Sequence, residues 1–305
     1  MHDLVHLYGQ QLSDMHAEAD GREQARERLL DYYLVTADAA DDQLRAAPDP
    51  AAPTDFASRD SALAWLDIER PNLIAAVTMA ADTGCDQAAI RLPFILAVYL
   101  RWRWRLDEHM TIHAISLKIA RRTRDRLKEA MALGNLGVVW QETRQFDEAI
   151  AAGQETLAIF REIGDRHHES MALNNLGLVL PEVGRLDEAI TACQEALVIY
   201  REIGDRAGEG DVLETMGLAL RRAGRLGEAI AAGHEAVAIY REIDDPHREA
   251  MALNSLGLAL QEAVRLEEAI AAHQDAAAIF RKIGDQYREG MTLSNLETAR
   301  AARTA

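Results

Sequence analysis

Four stretches share one pattern at a fixed spacing: ALGNLGVVW (residues 132–140), ALNNLGLVL (172–180), VLETMGLAL (212–220) and ALNSLGLAL (252–260). Their glycines fall at Gly137, Gly177, Gly217 and Gly257, a 40-residue period without slippage. Twelve residues after each glycine stands Ala149, Ala189, Ala229 or Ala269, always followed by isoleucine. Each unit then reaches an aromatic (Phe160, Tyr200, Tyr240 or Phe280) and closes on REIGD, REIGD, REIDD or RKIGD. Self-similarity of this kind marks a repeat architecture, in which one unit cannot bury its apolar face until a neighbour stacks on it.

Each unit reads as two helices. Helix A carries Leu133, Leu136 and Trp140, or their equivalents, at three- and four-residue spacing, and Gly184 and Gly224 suit the left-handed position past its end. Helix B is expected to start at Asp147 or Asp187, whose carboxylates would cap free N–H groups, and to end at Gly164, Gly204 or Gly284. Asp165, Asp205 and Asp285 are then placed to cap the helix that follows. A glycine inside a helix costs roughly 1 kcal/mol against alanine. Its recurrence opposite a recurring alanine predicts that helices A and B cross closely at each of these glycines.

The pattern of Leu-Gly in helix A, alanine early in helix B and an aromatic near its end resembles the tetratricopeptide repeat, over residues 128–296. Two features depart from that family: the period exceeds the usual figure of about 34, and Gly-Asp stands where a proline commonly ends helix B. The resemblance implies an all-α fold, a right-handed superhelical solenoid with helix A lining the concave face. One period back, Asp107-Glu108 aligns with Asp147-Glu148, which places a degenerate repeat at 86–125. The expected plan is therefore a helical adapter (1–45), a proline- and alanine-rich linker (46–57), a helix pair (58–85) with Pro71 in the first turn of its second helix, the degenerate repeat, four repeats (126–285) and a capping helix (286–305). In the adapter, Leu29, Tyr33 and Leu34 are expected to face inward.

The opening MHDLVHLYGQ (1–10), followed by ALAWLDIERPNLIAAV (62–77) and then the repeats, resembles the C-terminal region of bacterial, actinobacterial STAND (NB-ARC) signalling ATPases and antibiotic-regulatory transcription factors. In that family the Met-His-Asp motif closes the nucleotide module, so the resemblance gives His2 a nucleotide-sensing role in a full-length parent. The alternative is a start codon before an amphipathic helix, in a freestanding adaptor or self-assembling repeat protein. No GxxxxGK[ST] occurs in the 305 residues, so phosphate cradling by this chain alone is not expected.

Composition narrows the partners. A net charge of −17 repels phosphate, which argues against nucleic acid and anionic membrane. The longest apolar run, LPFILAVYL (92–100), is too short to span a bilayer. Two cysteines without CxxC spacing, Cys85 and Cys193, fit a reducing, cytoplasmic setting, and Cys193 falls on an inward position. No constellation for catalysis, cofactor or metal appears. His109 and His113 stand at i, i+4 in HMTIH, without a third ligand, and read as surface or packed histidines, while His167-His168 reads as a solvated turn. In RWRWR (101–105) the two tryptophans point apart on a helix and read as core filling. Arg101, Arg105, Arg121 and Arg122 form a basic island able to dock an acidic partner.

The groove is the expected site, for a protein or peptide ligand. One residue before each Leu-Gly pair, or its equivalent, stand Asn135, Asn175, Thr215, Ser255 and Asn295, and asparagine supplies both donor and acceptor to an extended backbone. Glu142, Glu182, Arg222 and Glu262 lie further along the same helices and could select charge. Pro181 would withdraw a hydrogen bond from the carbonyl of Gly177 and leave it for a ligand.

Overall fold

The computed structural model describes residues 21–45 and 56–304, so His2, the rest of the opening and most of the proline-rich linker lie outside the described residues. The described residues form thirteen α-helices and no strand. They divide into two compact units, the first ending at Val139 and the second running from Trp140.

The first unit holds α1 (Arg22–Arg45), α2 (Arg59–Asp82), α3 (Asp86–Trp102), α4 (Leu106–Thr123) and most of α5 (Arg126–Glu142). In α1 the buried stripe is Leu30, Tyr33, Leu34, Ala37, Ala40 and Leu44; Leu29 is exposed, one residue off the stripe. The two helices expected over 58–85 are one continuous helix, α2, with Pro71 inside it. Its buried residues Ala62, Leu66, Leu73, Ala76, Val77 and Ala80 keep helical spacing through the proline, so packing against α1 and α3 outweighs the lost N–H bond. Ser58 and Ser61 close a reciprocal capping box at its start. Trp102 and Trp104 are not core: they are 45% and 72% exposed, at the last residue of α3 and in the turn after it, and Tyr99 fills the interior instead. Its hydroxyl donates to Asp67 at 2.8 Å, and burial beside that carboxylate pushes its pKa up to about 12.

The second unit continues with α6 (Phe146–Ile163), α7 (Arg166–Val179), α8 (Leu186–Ile203), α9 (Arg206–Arg222), α10 (Leu226–Glu242), α11 (Pro246–Glu262), α12 (Leu266–Ile283) and α13 (Gln286–Thr304). Successive helices pack in order around one core that runs from Ala149 to Ala299. Helix A of each later unit starts as the sequence suggests: the N–H groups of His168, Gly208, Arg248 and Arg288 donate to Asp165, Asp205, Asp245 and Asp285 at 2.9–3.1 Å. Helix B does not. Its N-caps are Gln145, Arg185, Arg225 and Arg265, none with a side-chain cap bond, and Asp147 and Asp187 sit inside the first turn. There they oppose the positive end of the dipole, and the capping arginine Arg185 turns to Glu188 at 2.7 Å instead. Gly164, Gly204 and Gly284 take left-handed φ of 73–80° at the helix B ends.

One repeating contact escaped the sequence reading. A buried glutamate near the start of helix A is clasped by an arginine from the end of the preceding helix B and by another from its own first turn. Glu169 accepts from Arg161 at 2.9 Å and Arg166 at 2.7 Å; Glu209 accepts from Arg201 and Arg206 in the same way. Glu129, Glu249 and Glu289 hold the same position against Arg121, Arg241 and Arg281. Burial works against the charge of Glu169, yet the two guanidinium bonds hold its pKa below the usual carboxylate range.

Candidate binding groove

The helix A glycines are not equivalent. A Cβ on Gly177 would collide with the Cys193 sulfur, and one on Gly257 would lie 2.5 Å from His273. Cys193 and His273 occupy the same helix B register, and both are fully buried. In the unit between them that register is Gly233, and a Cβ on Gly217 meets nothing nearer than the Ala229 carbonyl at 3.8 Å. The helix backbones cross as closely at Gly217 as at Gly177, where the Ala189 carbonyl lies 3.7 Å from the same point, but here the space beside the crossing is open because two side chains are missing rather than one. What remains is a cleft of about 400 Å³ between α7, α9, α10 and α11. Its walls are mostly apolar, with Leu178, Leu218, Met251 and Leu258 from successive A helices.

Acids stand at this cleft. Asp211 and Glu214 both line it, and the Tyr240 hydroxyl lies 2.8 Å from Asp211 and 3.2 Å from Glu214. Gly210 makes room for that ring, since a Cβ there would lie 2.6 Å from it. Burial raises the pKa of both carboxyls, that of Glu214 to about 7, and Asp211 adds to the Glu214 shift. Arg248 lies 3.4 Å from Asp211. In other units the Glu214 register holds Gly134, Asn174, Asn254 or Ser294, and the Asp211 register holds methionine.

The residues expected from sequence distribute unevenly. Asn175 and Ser255 are exposed on α7 and α11, and Ser255 lines the cleft. Thr215 is buried and its hydroxyl donates to the Asp211 carbonyl at 3.0 Å. Asn295 is half-buried and donates to Asn254 at 3.1 Å, which in turn lies 3.1 Å from buried His273. Asn135, half-buried on α5, belongs to the first unit. Arg222 bonds Glu182 at 2.6 Å and Arg221 bonds Glu262, so these acids already hold cations from the intervening repeat. Glu142 closes α5. Pro181 changes the last turn of its helix into a 3-10 turn, Leu180–Val183, and is itself buried.

In the first unit Arg121 bonds Glu129 and Arg122 bonds Asp86, while Arg101 and Arg105 are exposed. The arginines expected to form an island are thus partly spent on ion pairs. His109 and His113 are buried, not on the surface, with rings 4.6 Å apart and no hydrogen-bond partner on any ring nitrogen. Burial lowers the pKa of His109 to about 4, and burial beside His109 holds that of His113 well below its ordinary value. Among the described residues no three His, Cys, Asp or Glu side chains converge as a metal site, and no helix is long and apolar enough to cross a membrane. His168 is not simply solvated: it stacks on Phe160 at 5.0 Å and bonds Asp165 at 2.8 Å. Cys193, fully buried, has its thiol pKa pushed up to about 12 by burial.

Tetratricopeptide repeat models match residues 130–169 and 168–242. No curated protein sequence matches the chain. Among solved structures the chain is similar to BtubC (BKLC) from P. vanneervenii, at 16% identity and a TM-score of 0.61 over 70% of this chain and 92% of that one. It is similar to aspartyl phosphate phosphatase F from Bacillus subtilis, at 14% identity and a TM-score of 0.61 over 74% and 59%. It is also similar to a STAND protein with a tetratricopeptide repeat sensor from Pyrococcus horikoshii, at 16% identity and a TM-score of 0.54. That likeness covers 78% of this chain and 42% of the STAND protein. At these identities the likeness shows the fold, and with the matched models it establishes that the chain carries tetratricopeptide repeats in an all-helical solenoid.

Proposed function

We propose that this chain is a scaffold that binds an extended protein segment along helices α7, α9 and α11, and that it serves as the sensor part of a STAND-type regulator. The observation that carries the first clause is the cleft itself. It opens across three successive A helices, is mostly apolar, and has exposed Asn175 and Ser255 close by to engage a peptide backbone. The second clause is supported by the similarity to a protein whose repeats are described as a sensor, together with the Met-His-Asp opening. A freestanding adaptor fits the BtubC-like similarity equally well in fold, and the two readings part on whether a nucleotide module is joined to this chain. Glu142, Glu182, Arg222, Glu262 and Asn295, all in the second unit, extend the proposed groove.

The test is direct. A partner captured by the chain should bind the double variant Asn175→Ala/Ser255→Ala roughly five- to thirtyfold more weakly, about 1 kcal/mol per lost hydrogen bond. Its melting temperature should barely change, because both side chains are exposed. Equal affinity for parent and variant would place the interaction elsewhere.

A further inference from the structure

The cleft has more acceptors than donors. The Tyr240 hydroxyl carries a single proton, and Asp211 at 2.8 Å is the nearer of the two carboxylates that face it. Arg248 also serves Asp211, and Arg221 is committed to Glu262. Among the described residues no basic side chain forms an ion pair with Glu214. The buried Oδ1 of Asn174, lining the same cleft, likewise has no hydrogen-bond partner. A buried acceptor short of donors is costly to keep, so the cleft is built for something that brings N–H bonds and positive charge. It is also built for something with an apolar stem, given Leu178, Leu218 and Met251 on its walls.

We propose that the cleft is a binding site for an alkylammonium group, the side chain of a lysine in the bound segment. Its methylenes lie between Leu218 and Met251, and its ammonium donates to Glu214 and to Asn174 Oδ1. An ammonium offers three donors, which matches a carboxylate and an amide oxygen better than a planar guanidinium does. The site exists because this repeat alone has acids at the Asp211 and Glu214 registers, and because Gly217 and Gly233 leave the volume open. The assignment names the anchor in the proposed groove, but it does not need a peptide to be tested.

The probes are n-hexylamine, n-hexanol and Nα-acetyl-lysine methylamide, titrated into the full chain carrying methyl-labelled methionine. Met251, which lines the cleft, is the reporter. Hexylamine is expected to shift the Met251 methyl with an affinity at least about tenfold above hexanol. The lysine derivative should bind within a few-fold of hexylamine. Glu214→Asn restores the residue of the neighbouring repeats and should reduce amine binding to the hexanol level. Gly217→Leu should fill the volume, abolish binding of all three probes and leave the melting temperature unchanged or raised. Equal binding of hexylamine and hexanol, or amine binding that survives Glu214→Asn, overturns the proposal. Binding of hexylamine without the lysine derivative overturns the lysine assignment in favour of a free amine. Failure of the Asn175→Ala/Ser255→Ala test leaves these titrations unaffected, so the two readings fall separately.

Discussion

At the scale of single residues the repeat is a template with local exceptions, and the exceptions are what the structure explains. Turn positions filled by Gly184 and Gly224 past helix A are held in other units by Arg144 and Val264, and the one filled by Gly164, Gly204 and Gly284 past helix B is held by Asp244, these three at φ of 54–62°. A β-branched residue is the worst fit to that region, and Val264 is 76% exposed, so it loses no packing if replaced. Val264→Gly should raise stability by about 1 kcal/mol, read as a higher denaturant midpoint; a lower midpoint would mean the turn is not strained. The glycines inside helix A make the complementary case. Gly257→Ala should cost on the order of 1–3 kcal/mol by driving a methyl into His273, whereas Gly217→Ala should be neutral or stabilising. Thermal melts of the two variants that coincide would contradict the difference in space. The sequence displays all four glycines as one motif. Their difference is legible only when the helix B register (Cys193, Gly233, His273) is read against them, since volume is set by pairs of residues rather than by either helix alone.

Between elements the question is how stacked helices hold their register. The apolar stripe fixes which faces meet, and it was legible from the 3–4 spacing of Leu133, Leu136 and their equivalents. The glutamate clasp adds a polar interlock at each step from helix B to helix A. It was visible in sequence as an invariant Glu at 129, 169, 209, 249 and 289, eight residues after an arginine, but only packing shows that this spacing bridges a turn. Glu209, 3% exposed and held by Arg201 and Arg206, should lose on the order of 1–3 kcal/mol on replacement by alanine. The side chain of Glu249, held at a hydrogen bond by Arg241 and more exposed, should lose less under the same change. Chemical denaturation of both variants decides it: equal losses would mean that the seam is ordinary surface pairing, worth little at any position. The continuous α2 is the opposite lesson. Pro71 suggested a break, yet the buried stripe runs straight through it, so tertiary packing overrode a local signal.

For the molecule as a whole, the consequence of these buried groups is its response to acid. His109 and His273 have pKa values lowered by burial to about 4, and His113 lies well below its usual value. The unfolded chain takes up these protons near pH 6.5 and the folded chain refuses them. Stability that is present above the unfolded value is therefore lost as pH falls through the folded ones. Glu214 has the opposite sign. Its folded pKa of about 7 exceeds the unfolded value, so its contribution is full below about 4.5 and gone above about 7. Asp41 and Asp211, also raised by burial, act with the same sign as Glu214 from their lower ordinary value, and between about 4.5 and 7 the three histidines outweigh Glu214. Each unit carries at least one of them, so both should weaken together. The urea midpoint should drop as pH is lowered from about 6.5 to 4, by an amount on the order of 1–3 kcal/mol per histidine. His113→Phe, beside the ring of Phe94, should shallow that slope, and Glu214→Asn should steepen it while raising stability above pH 7. A midpoint flat across this range in the parent chain would show that the three imidazoles are not buried in the neutral form, and that the interior described around them is wrong.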